Sequence, residues 1–328
     1  MKSIPITSIE GFQIGQAQDL EGGTGVTVII NKDGATGAVD VRGGGPATRE
    51  TDLLDPKNMV QKIHSVVLSG GSAFGLESSS GVVRYLKEKR VGFGMKDIIV
   101  PIVCQASLFD LSVGSSDAYP DREMGYLAAQ NSEQNVFESG CKGAGTGASV
   151  GKLMGFEHSM KTGIGSAAFR IGPLKVGAIA AVNACGDIYE PDSKIRVAGI
   201  YDRETKTEID TEQAVLQMAT QAMEGMNTTI CCVMTNADLD QAMLTKLAGM
   251  SQNALARTIR PVHTPNDGDT VFAMTSNQVP ADLTLVSVMA IQALSEAIVD
   301  AAKSATPMFG LESWSSLHRK RQMNDVCY

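Results

Sequence analysis

Aromatic side chains are scarce in this chain, at 5%, and its 28 Lys and Arg are outnumbered by 36 Asp and Glu, for a formal net charge of −8. Neither feature suits a nucleic-acid partner, because phosphates are held by cations and single-stranded bases stack on aromatic rings. The one basic cluster, His318-Arg319-Lys320-Arg321, reads as a solvated tail. Zinc is not indicated either: Cys104, Cys141, Cys185, Cys231, Cys232 and Cys327 form no CxxC or Cys/His spacing. No uninterrupted apolar stretch approaches a membrane span, and Met1-Lys2-Ser3-Ile4-Pro5 lacks the apolar core of a signal peptide. The expectation is a cytoplasmic protein without metal, cofactor, nucleic-acid or membrane partner. Internal repeats and low-complexity segments are also missing.

Glycine, by contrast, is abundant, with 34 residues, which points to tight turns and close backbone packing. The stretch that organises the reading is Gly225-Met226-Asn227-Thr228-Thr229-Ile230-Cys231-Cys232-Val233-Met234-Thr235. A flexible start runs into branched residues suited to a buried strand, with Cys231-Cys232 as small core residues. Two threonines stand at its mouth, where a β-branched side chain has few rotamers. A cut before Thr228 would leave a free α-amine beside its hydroxyl. An α-amine titrates near ~8 and can take the hydroxyl's proton, as in N-terminal-threonine catalysis. The plain alternative is a core strand that opens with Thr-Thr.

Further elements follow in chain order. Val26–Ile30 and Ala38–Val41 read as a hairpin around the turn Asn31-Lys32-Asp33-Gly34. His64–Leu68 is a strand that meets Ser69-Gly70-Gly71-Ser72-Ala73-Phe74-Gly75 and a helix over 76–89. That turn is neither a nucleophile elbow, having Phe74 at the last glycine position, nor a P-loop. Ile98–Val103 is an apolar run. The small residues 143–151 offer backbone N–H groups to an oxyanion, and Lys152 closes them. Lys152 is a surface charge or a substrate contact. Val176–Asn183 is a buried strand whose last residue, Asn183, is an oxyanion donor or a turn residue. The charged segment 187–210 reads as a surface excursion or linker, and a helix over 211–223 leads to Asn227. Asp238 is a good N-cap for an amphipathic helix carrying Leu239, Met243, Leu247, Met250 and Ala254. Asp267 and Asp269, two apart at a strand start, share a face and raise each other's pKa as paired carboxylates do. Asp267-Gly268-Asp269 is otherwise simple turn chemistry, and it lacks the other ligands of an EF-hand. A long Ala-rich helix over 282–303 covers the core.

These motifs together resemble the β-peptidyl aminopeptidase / L-aminopeptidase–D-esterase family, which includes nylon-oligomer hydrolases. The resemblance is carried by Glu21-Gly22-Gly23-Thr24-Gly25, Val39-Asp40-Val41-Arg42-Gly43-Gly44 and Arg49-Glu50-Thr51-Asp52-Leu53-Leu54. It continues through 69–76, 143–148, Val182-Asn183-Ala184, Asn227-Thr228-Thr229, Arg260-Pro261-Val262-His263-Thr264-Pro265 and Asp267-Gly268-Asp269-Thr270. It implies an α/β, four-layer αββα sandwich like that of N-terminal-nucleophile hydrolases, in one domain over 1–328. It implies self-cleavage between Asn227 and Thr228 into 1–227 and 228–328, and a homotetramer of the cleaved heterodimers. By motif, Thr228 is the nucleophile, Lys152 and Asn183 serve substrate and oxyanion, and Asp267 and Asp269 assist Thr228. The implied function is hydrolysis of amide, peptide or ester bonds in small aminoacyl compounds or short peptides, without a cofactor. The alternatives are a 6-aminohexanoate oligomer hydrolase and an acyltransferase of the ornithine acetyltransferase type. Cys104-Gln105-Ala106 and Cys185 depart from the small or apolar residues expected at those places.

Overall fold

The computed structural model describes residues 1–218 and 227–318. Eight strands and five helices frame the site. The strands are β1 (Gln13–Asp19), β2 (Thr24–Val41), β3 (Lys62–Ser69), β4 (Val103–Ser107), β5 (Ile164–Ile171), β6 (Leu174–Asn183), β7 (Thr228–Ala237) and β8 (Thr270–Val279). The helices are α1 (Ser78–Glu88), α2 (Arg122–Asn131), α3 (Thr211–Met218), α4 (Gln241–Thr258) and α5 (Leu283–Lys303). The expected extension of α3 to Met223, the lead-in Gly225-Met226, Arg319-Lys320-Arg321 and Cys327 lie outside the described residues.

The strands run in the order β5-β6-β7-β8-β2-β3-β4, with Lys2–Ser3 and Ala47–Arg49 at the two ends and β1 alongside β2. Pairing is antiparallel except β7 with β8 and β3 with β4. The sheet doubles over at β2, so that two sheet halves face each other. Alternation along each strand shows the layering. Ile230, Cys232 and Met234 of β7 join Ile29, Val66 and Leu68 in a core between the halves. Cys231 and Val233 point the other way, to the layer of α4 and α5. Val26, Val28 and Ile30 face α1 and α2 on the opposite outside. The result is the expected αββα sandwich, with strands apolar on both faces because both faces are covered.

Four sequence expectations need correction. Val26–Ile30 and Ala38–Val41 are one strand, not a hairpin. Residues 31–34 form a bulge opposite His64, between the pairs Ile30↔Ser65 and Ala35↔Ile63. The turn residues are used, with Gly34 at φ +82°, but they bend the strand from one sheet half into the other. Secondly, α4 is capped by Asp240, whose carboxylate accepts from the Met243 N–H, not by Asp238. The backbone of Asp238 is still tied to β8 through Val279 O. Of the expected face, Leu239, Leu247 and Ala254 are buried and Met243 is exposed, while Leu244, Ala248 and Leu255 also pack inward. Thirdly, the apolar run Ile98–Val103 divides at Pro101. Ile98–Val100 forms a surface hairpin with Phe93–Met95, and β4 begins at Val103.

Fourthly, 187–210 is no linker. Asp187–Tyr189 pairs with Arg196–Ala198 and with Ile259–Arg260, and Ile200–Asp202 pairs with Thr207–Ile209. Ile188, Val197 and Ala198 join the core with α4 and α5, and Ile200 packs against α3, but the strands are too short to show apolar periodicity, and polar contacts add to the packing. Buried Asp187 accepts from the N–H groups of Ile200 and Thr211 and from Thr211 Oγ1, and pairs with Arg196 at 3.3 Å.

Helix α5 is, by length and composition, apolar enough to cross a membrane, with a mean hydropathy of 1.6 over 18 residues. In this fold it is a core helix, 72% buried over that window. It lies so close to β5 that a Cβ on Gly165 would stand 2.3 Å from both Ala297 O and Ala301 N. Both are backbone atoms and cannot step aside. Gly165→Val is therefore expected to destabilise the protein by at least ~2 kcal/mol, as overpacking does. Urea unfolding of the purified variant checks this, and an unchanged midpoint would contradict the close packing.

Candidate active site

The site forms where β7 begins. Residue Thr228 is the cross-strand partner of Asn183, the last residue of β6. On the other flank Asn227 bridges Asp267, just before β8. Backbone bonds fix this mouth: Asn227 N–H donates to Asn266 O at 3.0 Å, and Gly268 N–H donates to Asn227 O at 2.9 Å. The Thr228 hydroxyl, on a residue only 4% exposed, donates to the same Asn227 carbonyl oxygen. Gly268 leaves room for it, since a Cβ there would lie 2.8 Å from Thr228 Oγ1. In turn, Gly43 packs its Cα against the backbone of Asp267 and Asp269, with no space for a side chain.

The paired aspartates divide their work. Asp269 Oδ1 accepts the N–H of Thr229 at 2.7 Å, and its Oδ2 lies 2.9 Å from His263 Nδ1. Asp267 Oδ2 accepts the N–H of Thr264 at 2.7 Å, while its Oδ1 is buried without a partner among the described residues. Burial, and then the charge of Asp269, push the Asp267 carboxyl up to about 6, against the bond from Thr264.

Lys152 and Asn183 meet as a pair. The ammonium donates to Asn183 Oδ1 at 2.6 Å and to Asn183 O at 3.1 Å. Asn183 Oδ1 also accepts the N–H of Ser149, and its Nδ2 donates to Phe109 O at 2.7 Å. Although the Lys152 residue is only half-buried, its ammonium is enclosed, and this desolvation pulls it down to about 7. Cys185, Asp267 and Asp110 oppose the shift. Of the residues departing from the family pattern, Cys185 belongs to this site: burial and then Asp267 push its thiol up to about 12. Cys104 packs in the core between the sheet halves, and Gln105 bonds Ser69, Gly75 and Ser78 beneath the glycine turn.

Four further groups shape the site: Asp110 and Lys161 lie outside the quoted motifs, and His263 and Gly268 lie within them with no role assigned. Asp110, 1% exposed, accepts from Gly71 N–H at 2.7 Å and Thr24 Oγ1 at 2.8 Å, joining two glycine turns. Burial pushes its carboxyl up to about 6 against those bonds. Lys161 is fully buried and donates to the carbonyls of Gly145, Ala148 and Thr162, moulding the small-residue loop that ends at Ser149. Burial lowers its pKa. His263 contacts Asp269, and the Gly268 N–H sits on the Asn227 carbonyl. A lysine after an apolar residue or an aspartate ending an apolar run carries no signal in sequence, because each partner is distant in the chain. Among the described residues no group of three or more His, Cys, Asp or Glu is spaced to hold a metal ion. Two surface grooves of about 590 and 540 Å³ border β2 and α4, and neither is lined by Thr228, Asn183, Lys152 or either aspartate.

The fold is that of known N-terminal-nucleophile hydrolases. It superimposes on the L-aminopeptidase D-Ala-esterase/amidase of Ochrobactrum anthropi, a described variant of that fold, with TM-score 0.71 over 97% of this chain and 94% of that one, at 17% identity. The chain belongs to peptidase family S58, which matches residues 5–314. It is 40% identical over 298 residues to an uncharacterized aminopeptidase of Mycobacterium leprae, covering 85% of this chain and 80% of the relative. It is 33% identical over 276 residues to a 6-aminohexanoate-oligomer endohydrolase of an Agromyces species, covering 82% and 74%. The protein is thus a hydrolase of the aminopeptidase and amidase type.

The buried charges make stability depend on pH. Asp267 titrates at about 6 in the fold, above the ~4 of an unfolded carboxyl, so its contribution is full below ~4 and lost as pH rises through about 6. Lys152 has the opposite sign: lowered to about 7, its contribution is present in alkali and lost as pH falls through about 7. Asp267→Asn is expected to gain melting temperature relative to wild type between about pH 4 and about pH 8. Calorimetry at the two values checks it, and parallel profiles would mean that the carboxyl is not buried in solution.

Proposed function

We propose that this hydrolase processes itself between Asn227 and Thr228, giving chains 1–227 and 228–328, and then uses Thr228 as an N-terminal nucleophile. The observation that carries this reading is the Thr228 hydroxyl bonded to the carbonyl oxygen of the preceding residue, with Gly268 N–H already on that oxygen. The hydroxyl is next to the carbonyl carbon it would attack, with no diffusion to overcome. Negative charge developing on the oxygen would be met by the Gly268 N–H. Attack by Oγ1 breaks the C–N bond and leaves an ester, with the proton passing to the departing nitrogen. That step frees the α-amine of Thr228; water then hydrolyses the ester, releasing the Asn227 carboxylate and restoring the Thr228 hydroxyl. Asp267 Oδ1, buried without a partner, supplies an acceptor for the new ammonium.

In turnover the amine, with an ordinary pKa near ~8, takes the Thr228 proton as the hydroxyl attacks a substrate carbonyl. The acyl-enzyme is then released by water. Asn183 is the oxyanion donor in this reading. Lys152 on its Oδ1 draws electron density through the amide and strengthens its remaining N–H as a donor. The substrates are small aminoacyl amides, esters or short peptides. Hydrolysis of 6-aminohexanoate oligomers is the second reading, favoured by the 33% identity to endohydrolases of that name. The assembly expected from the family resemblance is a homotetramer of cleaved heterodimers.

Intact-mass spectrometry and N-terminal sequencing test the reading. Active protein is expected as two fragments, the smaller beginning at Thr228. Thr228→Ala stays one chain and is inactive, Thr228→Ser keeps some cleavage, and Thr229→Ala is cut at the same bond. A small fragment beginning at Thr229, or normal activity in Thr228→Ala, would overturn it. Aminoacyl amides, β-peptides and 6-aminohexanoate oligomers assayed side by side separate the two substrate readings.

Asn183→Ala in processed protein is expected to lower kcat on the order of 10²–10³-fold with KM nearly unchanged, as loss of an oxyanion donor does. A rise in KM alone would instead make Asn183 a binding residue.

A further inference from the structure

We propose that His263 is a positioning residue: its imidazole fixes the Asp269 carboxylate, which in turn holds the peptide group behind Thr228. The proposal builds on the reading of Thr228 as the nucleophile.

His263 lies in the turn between Arg260 and β8. Its Nδ1 is 2.9 Å from Asp269 Oδ2, and its own backbone N–H donates to the same oxygen at 3.1 Å. A carboxylate oxygen accepts, so the ring nitrogen facing it carries the proton. The other carboxylate oxygen accepts the Thr229 N–H at 2.7 Å. Asp269 is 1% exposed and therefore spans from the ring to the peptide nitrogen that follows Thr228. That peptide plane sets the direction of the Thr228 side chain, whose hydroxyl already sits on the Asn227 carbonyl. Without the ring, Oδ2 keeps only the backbone bond. The carboxyl torsion of an aspartate is broad, so Oδ1 would lose its fixed aim at Thr229.

Two observations separate this role from simple filling of the turn. His263 Nε2 is buried and has no partner among the described residues, so the ring's polar contact is with Asp269. His263 also has φ +57°, a left-handed conformation that glycine adopts freely and asparagine more readily than most residues. The backbone of this turn alone would be better served by either of those residues.

The left-handed backbone also provides the test. His263→Gly removes the ring and suits φ. His263→Asn suits φ too and places an amide N–H close to where Nδ1 stood. His263→Gly is expected to slow self-cleavage and kcat on the order of 10- to 100-fold, with KM within about threefold, as small misplacements of reacting groups do. His263→Asn is expected to recover most of both rates at a similar melting temperature. A His263→Gly enzyme within about twofold of wild type, or a His263→Asn enzyme as slow as His263→Gly, would overturn the proposal. If His263→Gly does not fold, His263→Asp, equal in size to Asn but without the N–H, replaces it. Equal rates in His263→Asp and His263→Asn would then overturn the role. Thr228→Ala is measured in parallel. Activity there would remove the nucleophile reading and this proposal together, whereas an inactive Thr228→Ala beside a normal His263→Gly would remove this proposal alone.

Discussion

The backbone hydrogen bond from Gly268 to the carbonyl of Asn227 is the contact on which the site depends. It ties the residue before β7 to the turn before β8, at the point where the two parallel strands begin. With Asn227 N–H on Asn266 O and Thr229 N–H on Asp269, the peptide groups on both sides of Thr228 are held. A threonine has few rotamers once its backbone is fixed, so its hydroxyl has a defined place. The sandwich around it makes this possible. Strands covered on both faces cannot shift register without moving every side chain into the wrong layer.

Charge is concentrated around that fixed point. Lys152, Lys161, Asp110 and Asp267 are all enclosed and are held by hydrogen bonds rather than by a direct salt bridge, with Asp267 Oδ1 left unpartnered among the described residues. Burying an ion without such partners would cost several kcal/mol. The consequence is three groups, Asp110 and Asp267 at about 6 and Lys152 at about 7, whose protonation changes close to neutral pH. Groups tuned in this way are what general acid–base chemistry needs, and they cluster at functional sites. Here the tuning comes from enclosure by small residues: the 143–148 loop is shaped by the Lys161 ammonium, and the glycine turns by Asp110.

Much of the sandwich was legible along the chain. The β7 strand, β6 ending at Asn183, β8 starting at Thr270 and helix α5 follow from apolar periodicity and turn residues, which are local properties. The failures are also physical. Residues 31–34 have the chemistry of a hairpin turn, and the fold uses it for a bulge, because the same left-handed glycine serves both. The 187–210 segment buries Ile188, Val197, Ala198 and Ile200 on strands too short to show a rhythm, and Asp187 looks like any surface aspartate until Arg196 and Thr211 are placed around it. Asp110 and Lys161 were invisible as site residues for the same reason, and His263 stood in a quoted motif with no partner to mark its role.

The sequence by itself determined the family, the order of the main strands and helices, and the candidates Thr228, Lys152, Asn183, Asp267 and Asp269. These rest on residue types, short spacings and motifs that survive in a linear string. Only the tertiary structure decided that Thr228 faces the carbonyl of Asn227, that Lys152 spends its ammonium on Asn183, and that Asp269 joins His263 to Thr229. Hydrogen-bond direction and desolvation depend on what closes around a group, and the residues that close around Thr228 come from four strands and their turns, scattered along the chain.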